Sequence, residues 1–97
     1  MKSENLIQQK TFGFAVRIVM AYKYLVAEQH EYVLSKQLLR SGTSIGANVE
    51  EGIGAQTRAD FIYKLSVSYK EARETYYWLR LLKETGYLSK EMTASLL

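Results

Sequence analysis

One run of apolar and small residues, spaced by alternating four and three positions, constrains the fold of this chain more than any other feature. Its members are Phe61, Leu65, Ser68, Ala72, Thr75, Leu79 and Leu82. Alternating steps of this kind place side chains along one seam of an α-helix. Thr57 precedes the run as a candidate N-cap with Asp60 at the third helical position, and Gly86 follows it. The segment therefore predicts a long helix that packs against other helices.

Three further segments have helical character. The first runs from Thr11, a candidate N-cap, to Gln29, the second from near Tyr32 at least to Glu51, and a short one from Ser89 to Leu97. The apolar stripe of the first consists of Ala15, Ile18, Val19, Tyr22, Leu25 and Val26, and that of the second of Leu34, Leu38, Ser41, Ile45 and Asn48 or Val49. Such three- and four-residue steps predict amphipathic helices. We expect a single all-α domain over residues 1–97, an up-and-down (antiparallel) four-helix bundle with a short fourth helix.

Composition excludes several classes of protein. The chain has no proline, which favours a few long helices over a turn-rich β fold, and no cysteine, which excludes disulfides and thiolate metal sites. No apolar run approaches the ~18 residues that a membrane span requires. We expect a cytoplasmic protein without membrane association. The net charge of +3 is modest for a nucleic-acid-binding protein.

The stretch from Arg40 to Gln56 is rich in glycine and other small residues. A phosphate-binding loop would need a preceding strand and a following lysine with serine or threonine, and neither is present. Instead, Gly42 and Gly46 are four residues apart on a helix, beside Ile45, where larger side chains would normally lie. The pattern predicts a bare helix surface, on which another helix of the same chain or of a neighbouring subunit packs closely.

Two blocks of the sequence resemble a known family. The segment "LLRSGTSIGANVEEG" is similar to the "SI-x-x-N-[IV]-x-EG" motif of bacterial four-helix-bundle proteins, also called 23S ribosomal RNA intervening-sequence proteins; the matching positions are Ser44, Ile45, Asn48, Val49, Glu51 and Gly52. The segment "DFIYKLSVSYKEARETYYWLRLLKETGYLS" resembles the third helix of that family. The resemblance implies a four-helix bundle that assembles into a homopentamer. One branch of the family serves diversity-generating retroelements, binding nucleic acid and a reverse transcriptase.

Three polar residues are expected to have structural roles. Asn48 lies on the apolar stripe of the second helix, where a buried amide can define helix register through one hydrogen-bond partner. Glu51 and Glu74 can form hydrogen bonds across helices. The alternative for Asn48 is a ligand contact, and the alternative for the two glutamates is a solvated position or a helix cap. Phe61, Leu65 and Leu79 are expected in the helix interface.

Nothing in the sequence indicates catalysis. A di-iron site in a helical bundle needs Glu-x-x-His pairs, but the only histidine, His30, follows Ala27 at that spacing. No serine has a neighbouring base that could activate it. We therefore expect no catalytic residue, no metal site and no cofactor.

A basic and aromatic surface is the candidate binding site. Arg73, Tyr76, Arg80 and Lys83 are three and four residues apart with Tyr69 one step upstream, and Lys36 and Arg40 form a second pair. Arginines bind phosphates and tyrosine rings stack on unpaired bases. The alternatives are a solvated face with Arg80–Glu84 and Lys70–Glu74 ion pairs, or a subunit interface.

These observations lead to two hypotheses. The first is a non-catalytic homo-oligomer, a pentamer by resemblance, that binds RNA or DNA through this surface. The second is a scaffold whose apolar grooves receive another protein, such as a reverse transcriptase, without nucleic acid.

Overall fold

The computed structural model describes residues 5–96, and within this range every regular element is an α-helix. The helices are α1 (Leu6–Ala27), α2 (Leu34–Ile53), α3 (Arg58–Glu84) and α4 (Lys90–Leu96). Because the connecting segments are only four to six residues long, consecutive helices must reverse direction. The predicted all-α bundle with a short fourth helix is confirmed.

The middle helix, α2, packs against both α1 and α3, and α4 contacts α1 and α3. Polar contacts show the antiparallel order of these helices. Gln8 near the start of α1 donates to Glu50 near the end of α2 (3.0 Å), and Lys64 of α3 donates to Glu51 (2.7 Å). The main body is thus three long helices with α2 at the centre.

The close approach of α1 to α2 depends on Gly42. A Cβ atom at this position would lie 2.8 Å from both Cγ1 and Cγ2 of Ile18, which is fully buried. Gly46 faces the backbone carbonyl of Thr11, 3.2 Å from where a Cβ would be. The prediction of a helix interface is confirmed, and its occupant is α1 of the same chain. The glycine-rich stretch is helical through Ile53 and is not a phosphate-binding loop.

Hydroxyl groups define the register of α3 on α2. Thr75 and Ser41 are almost fully buried, and their side-chain oxygens are 3.0 Å apart. Ser68 donates to the backbone carbonyl of Ile45 at 2.9 Å. By contrast, the Asn48 amide donates to Ser44 O within α2 (2.8 Å), so this hydrogen bond does not bridge two helices. Buried hydroxyls that would lose their partners on a shift oppose sliding of α3 along α2.

The apolar core lies toward one end of the bundle. Its buried members are Ile18, Ala21, Leu25, Leu38, Leu79, Leu82, Leu88 and Leu96. The buried position of Leu79 is as predicted. Phe61 is 38% exposed and Leu65 is half-buried, but Cδ1 and the carbonyl oxygen of Phe61 lie 3.6 Å from where a Cβ on Gly52 of α2 would be, so Phe61 is at the α2–α3 contact as predicted. The described part of α4 packs near Leu79 and Leu82.

The first helix begins earlier than its periodicity predicts. Asn5 is the N-cap, because its side chain accepts from Gln8 N (2.9 Å) while the Gln8 side chain accepts from Asn5 N (3.0 Å). This reciprocal capping box satisfies two backbone donors at the helix start. Thr11 is therefore not a cap but lies inside α1, where its hydroxyl donates to Ile7 O. Val19, predicted in the apolar stripe, is 38% exposed.

The ends of α3 agree with the prediction and those of α4 nearly so. Asp60 N donates to the Thr57 hydroxyl at 3.1 Å, which confirms the N-cap. Gly86 has a φ of +86°, a left-handed conformation that glycine adopts without strain and that commonly ends helices. Ser89 accepts from Met92 N (3.0 Å) ahead of α4. The predicted last residue of α4, Leu97, lies outside the described residues.

An unpredicted glutamate caps α2. The side chain of Glu31 accepts hydrogen bonds from the backbone N–H groups of Val33 (3.2 Å), Leu34 (3.0 Å) and Ser35 (2.7 Å). Burial of this carboxyl acts to raise its pKa, but the backbone hydrogen bonds outweigh burial, so the pKa of Glu31 is lower than the ordinary value of 4.5. The carboxylate also compensates the positive end of the α2 dipole.

Substitution of Gly42 tests the α1–α2 contact. We expect Gly42→Ala to destabilise the fold by about 1–3 kcal/mol, because the new methyl group overlaps the branched side chain of Ile18. Gly13 is the matched control: it lies in the interior of α1, and a Cβ added there would have nothing within 4 Å. Gly13→Ala should stabilise the fold by about 0.5–1 kcal/mol. Urea unfolding of both variants measures the difference, and an unfolding midpoint for Gly42→Ala at or above that of the unsubstituted protein would contradict the close contact.

Substitution of Glu31 tests the α2 cap. The lowered pKa means that the ionised carboxylate stabilises the fold above pH 4.5 and that this contribution is lost as pH falls through the pKa of the folded state. We expect Glu31→Gln to lose about 1 kcal/mol of stability at neutral pH. The deficit should shrink as pH falls through the pKa of the folded state, because the carboxyl then becomes protonated. Glu28→Gln, at an exposed neighbour, is the control; a deficit independent of pH would contradict this assignment.

Candidate nucleic-acid interface

The basic and aromatic residues of α3 form an exposed stripe, here named the Tyr–Arg stripe and defined by Tyr69, Arg73, Tyr76 and Arg80. All four are exposed, with Tyr69 63% and Tyr76 49% accessible. They lie on the flank of α3 that is turned away from α2, because the residues of α3 that contact α2 are on the other side. Helical spacing brings these four side chains into one row, as predicted.

Within the stripe, each arginine contacts the tyrosine one turn before it. Arg73 Nη1 is 3.4 Å from the hydroxyl of Tyr69, and the guanidinium of Arg80 lies over the Tyr76 ring, 5.7 Å from its centroid. The stripe thus consists of two Tyr–Arg pairs repeated after seven residues. In residues 5–96, neither arginine forms an ion pair with a carboxylate. Both guanidinium groups therefore keep donors available for an external anion.

The second predicted basic pair does not join the stripe. Arg40 forms an ion pair with Glu74 and another with Glu71 (3.5 Å), across the contact between α2 and α3. At 3.6 residues per turn, Glu74 is roughly 160° around α3 from Tyr76. Lys36, one turn before Arg40, is exposed on α2. The seven predicted nucleic-acid-binding residues therefore do not form one surface.

Glu74 forms its hydrogen bonds on the side of α3 that faces α2. Its Oε2 accepts from Trp78 Nε1 (2.9 Å) and from Arg40. Both hydrogen bonds lower the pKa of Glu74 below its ordinary value of 4.5, and the one from Trp78 has the larger effect. The Lys70–Glu74 and Arg80–Glu84 ion pairs of the solvated-face alternative are absent from the described residues: Glu74 pairs with Arg40 and Glu84 with Lys83.

Two other predicted residues form ion pairs. Lys83, placed in the basic row by its spacing, pairs with Glu84 at 3.6 Å. Glu51 accepts from Lys64 across the α2–α3 contact, and this hydrogen bond raises the pKa of Lys64 above its ordinary value. Both pairs are partly solvated, so each contributes little to stability. The positive charge of Lys83 is partly compensated by Glu84, whereas the charges of Arg73 and Arg80 have no carboxylate partner in residues 5–96.

An open groove of about 300 Å³ lies beside the stripe, between α1 and α3, and begins where α4 ends. Its lining is mostly apolar and consists of Lys10, Thr11, Phe14, Ile45, Ala72, Thr75, Tyr76, Leu79 and Leu96. Lys10 contributes the charged group of the lining. Sequence analysis did not identify Lys10, because residue spacing within α1 does not reveal which helix lies across the groove.

The outer face of α1 is an exposed apolar surface, here named the α1 face and defined by Phe12, Val16 and Met20. These residues are four apart and 69%, 48% and 58% exposed, respectively. Single exposed apolar side chains are common, but a continuous row on one helix is typical of an interaction site. Most of the α1 face is therefore left uncovered by the described part of the chain.

The described residues hold no cluster of three or more histidine, cysteine or acidic side chains placed to bind a metal ion. His30 is in the turn between α1 and α2 with a φ of 55°, and its Nδ1 lies 3.3 Å from the Tyr32 hydroxyl. In the same part of the chain, no helix has the length and apolar character that a membrane span requires.

Comparisons with known proteins agree with the resemblance seen in the sequence. The model of the 23S rRNA-intervening sequence protein family matches residues 3–97. A crystal structure of a protein with unknown function from the S23 ribosomal protein family of Bacteroides thetaiotaomicron is similar, with 57% sequence identity and a TM-score of 0.92, covering 94% of this chain and 84% of that one. No curated protein matches significantly. The chain belongs to the 23S rRNA-intervening sequence protein family.

Proposed function

We propose that this protein is a non-catalytic, self-associating helical bundle that binds RNA or DNA through the Tyr–Arg stripe. The observation that carries this proposal is the presence of two exposed arginines without carboxylate partners in residues 5–96, each held against an exposed tyrosine. Guanidinium groups bind phosphate oxygens, and the electrostatic term supplies most of the affinity in non-specific binding. The name of the family refers to ribosomal RNA, which supports RNA as a ligand and a cytoplasmic location.

Self-association is supported by the α1 face. A domain of this size buries only about two-thirds of its unfolded surface, so covering Phe12, Val16 and Met20 would add stability. The family resemblance implies five copies in the assembly. Because the α1 face and the Tyr–Arg stripe lie on different helices, one can be covered while the other remains accessible.

A second candidate function is a scaffold that binds another protein, such as a reverse transcriptase, without nucleic acid. The groove between α1 and α3 favours it, because its lining is mostly apolar and the described residues leave it open. Under this alternative, Arg73 and Arg80 are a solvated face. The two candidates differ in whether substitution of these arginines changes binding of nucleic acid.

The stripe is tested by removing its charges. We expect the protein to bind a labelled structured RNA at low salt, and Arg73→Ala with Arg80→Ala to abolish or strongly weaken binding. For a single-stranded ligand, each lost phosphate contact should reduce the slope of log affinity against log salt by about 0.7. Fluorescence anisotropy at several salt concentrations measures both effects.

The control removes the same net charge elsewhere. Lys23→Ala with Lys90→Ala substitutes two exposed lysines of α1 and α4 and should leave binding nearly unchanged. Equal losses in the two double variants would indicate attraction by overall charge and would contradict a specific site. Absence of binding at low salt would favour the scaffold.

Self-association is tested by solution mass. We expect light scattering to give a mass several times that of one chain at micromolar concentration. Met20→Glu should shift the population toward single chains, because it places a charge in the α1 face. Ala59→Glu, at an exposed position at the start of α3, is the control and should leave the mass unchanged. A single-chain mass for the unsubstituted protein would refute self-association.

A further inference from the structure

We infer that the ligand of the Tyr–Arg stripe is a single strand with unpaired bases, bound by two equivalent stacking units, and not a duplex. This inference rests on the proposed function and narrows its ligand class. The units are the pairs Tyr69–Arg73 and Tyr76–Arg80. Both have the same residue types, the same four-residue spacing and a tyrosine ring exposed to solvent.

Chemistry distinguishes the two ligand classes at this site. In a duplex the faces of the bases are covered by stacking, so an exposed tyrosine ring meets only sugar and phosphate along the outside of the helix. An unpaired base offers its face, and aromatic side chains and guanidinium planes are the groups that stack on such bases. The two exposed rings of the stripe therefore have favourable partners only on a single strand.

The contacts within each pair suit this role. The guanidinium of Arg80 lies over one face of the Tyr76 ring, and the residue is 49% exposed. Arg73 contacts the hydroxyl edge of Tyr69 and not a face of that ring, and Tyr69 is 63% exposed. In both pairs, the arginine is held beside the ring and retains N–H donors for the phosphate of the stacked nucleotide.

The separation of the pairs matches a continuous strand. Seven residues of α-helix rise about 10.5 Å. A stacked strand has a phosphate every 3.4 Å or so along its axis, so the two units are about three nucleotides apart. A segment of about four nucleotides therefore contacts both pairs, a length within the usual range for single-strand sites.

The experiment compares one RNA of about 12 nucleotides, without self-pairing, alone and annealed to its complement. We expect the single strand to bind at least about tenfold more tightly than the duplex. Tyr69→Leu with Tyr76→Leu should lower single-strand affinity about tenfold or more, since stacking on one base contributes enough for that factor. Tyr69→Phe with Tyr76→Phe should retain single-strand affinity, because the rings are kept. Circular dichroism melting establishes that each variant is folded.

A matched control removes two exposed tyrosines outside the stripe. Tyr32 and Tyr63 are 53% and 60% exposed, and their joint change to leucine should not alter affinity. Equal affinity for strand and duplex, with both lost on Arg73→Ala and Arg80→Ala, would overturn this inference and leave the proposed function intact. An equal loss from the Tyr32 and Tyr63 variant would also overturn it. Absence of binding by both the single strand and the duplex would remove the proposed function itself.

Discussion

The contact between Ile18 and Gly42 is the constraint on which the rest of the structure depends. The branched side chain of Ile18 occupies the space that a side chain on α2 would fill, which brings α1 close to α2. Two glycines within a helix are unfavourable by up to about 1 kcal/mol each relative to alanine. Close packing of a fully buried isoleucine offsets this cost, since burial of such a side chain contributes about 1.5–3 kcal/mol.

The central position of α2 gives α3 two chemically different flanks. The flank that faces α2 has two carboxylates, Glu71 and Glu74, both of which pair with Arg40, and Glu74 also accepts from Trp78. The opposite flank has Arg73 and Arg80 beside tyrosines. Glu84, one turn after Arg80, is exposed and pairs with Lys83, so neither arginine of the stripe has a carboxylate partner in residues 5–96. A surface that attracts anions can therefore form on a protein whose net charge is only +3.

The described part of α4 covers one end of the bundle. It contributes Leu96 to the core near Leu79 and Leu82, so that end of the bundle is closed on all sides. Farther along, the groove between α1 and α3 is open and Phe61 is partly exposed. The outer row of α1 is apolar as well. The α1 face shares no residue with the Tyr–Arg stripe, whereas the groove and the stripe share Tyr76, so a partner in the groove would also contact the stripe.

The sequence by itself determined the fold class, the extent of α3, the cap at Thr57 and the helical nature of the glycine-rich stretch. Each of these depends on residues close in the chain, where helical periodicity and backbone hydrogen bonding decide the outcome. The rows of α3, including the order of Tyr69, Arg73, Tyr76 and Arg80, also follow from helical geometry alone.

Only the tertiary structure decided which of these rows face solvent and what each polar group contacts. Arg40 does not join the stripe, because it extends from α2 to pair with Glu74. No spacing rule links two residues that are 34 positions apart in the chain. The hydrogen bond that joins α2 to α3 is the buried Ser41–Thr75 contact, whereas Asn48 bonds within α2. The cap of α2 is Glu31, which is not adjacent to the helix in the sequence. The physical reason is that helix periodicity specifies where each side chain lies around its own helix. The groups that this side chain contacts depend on which other helix packs beside it.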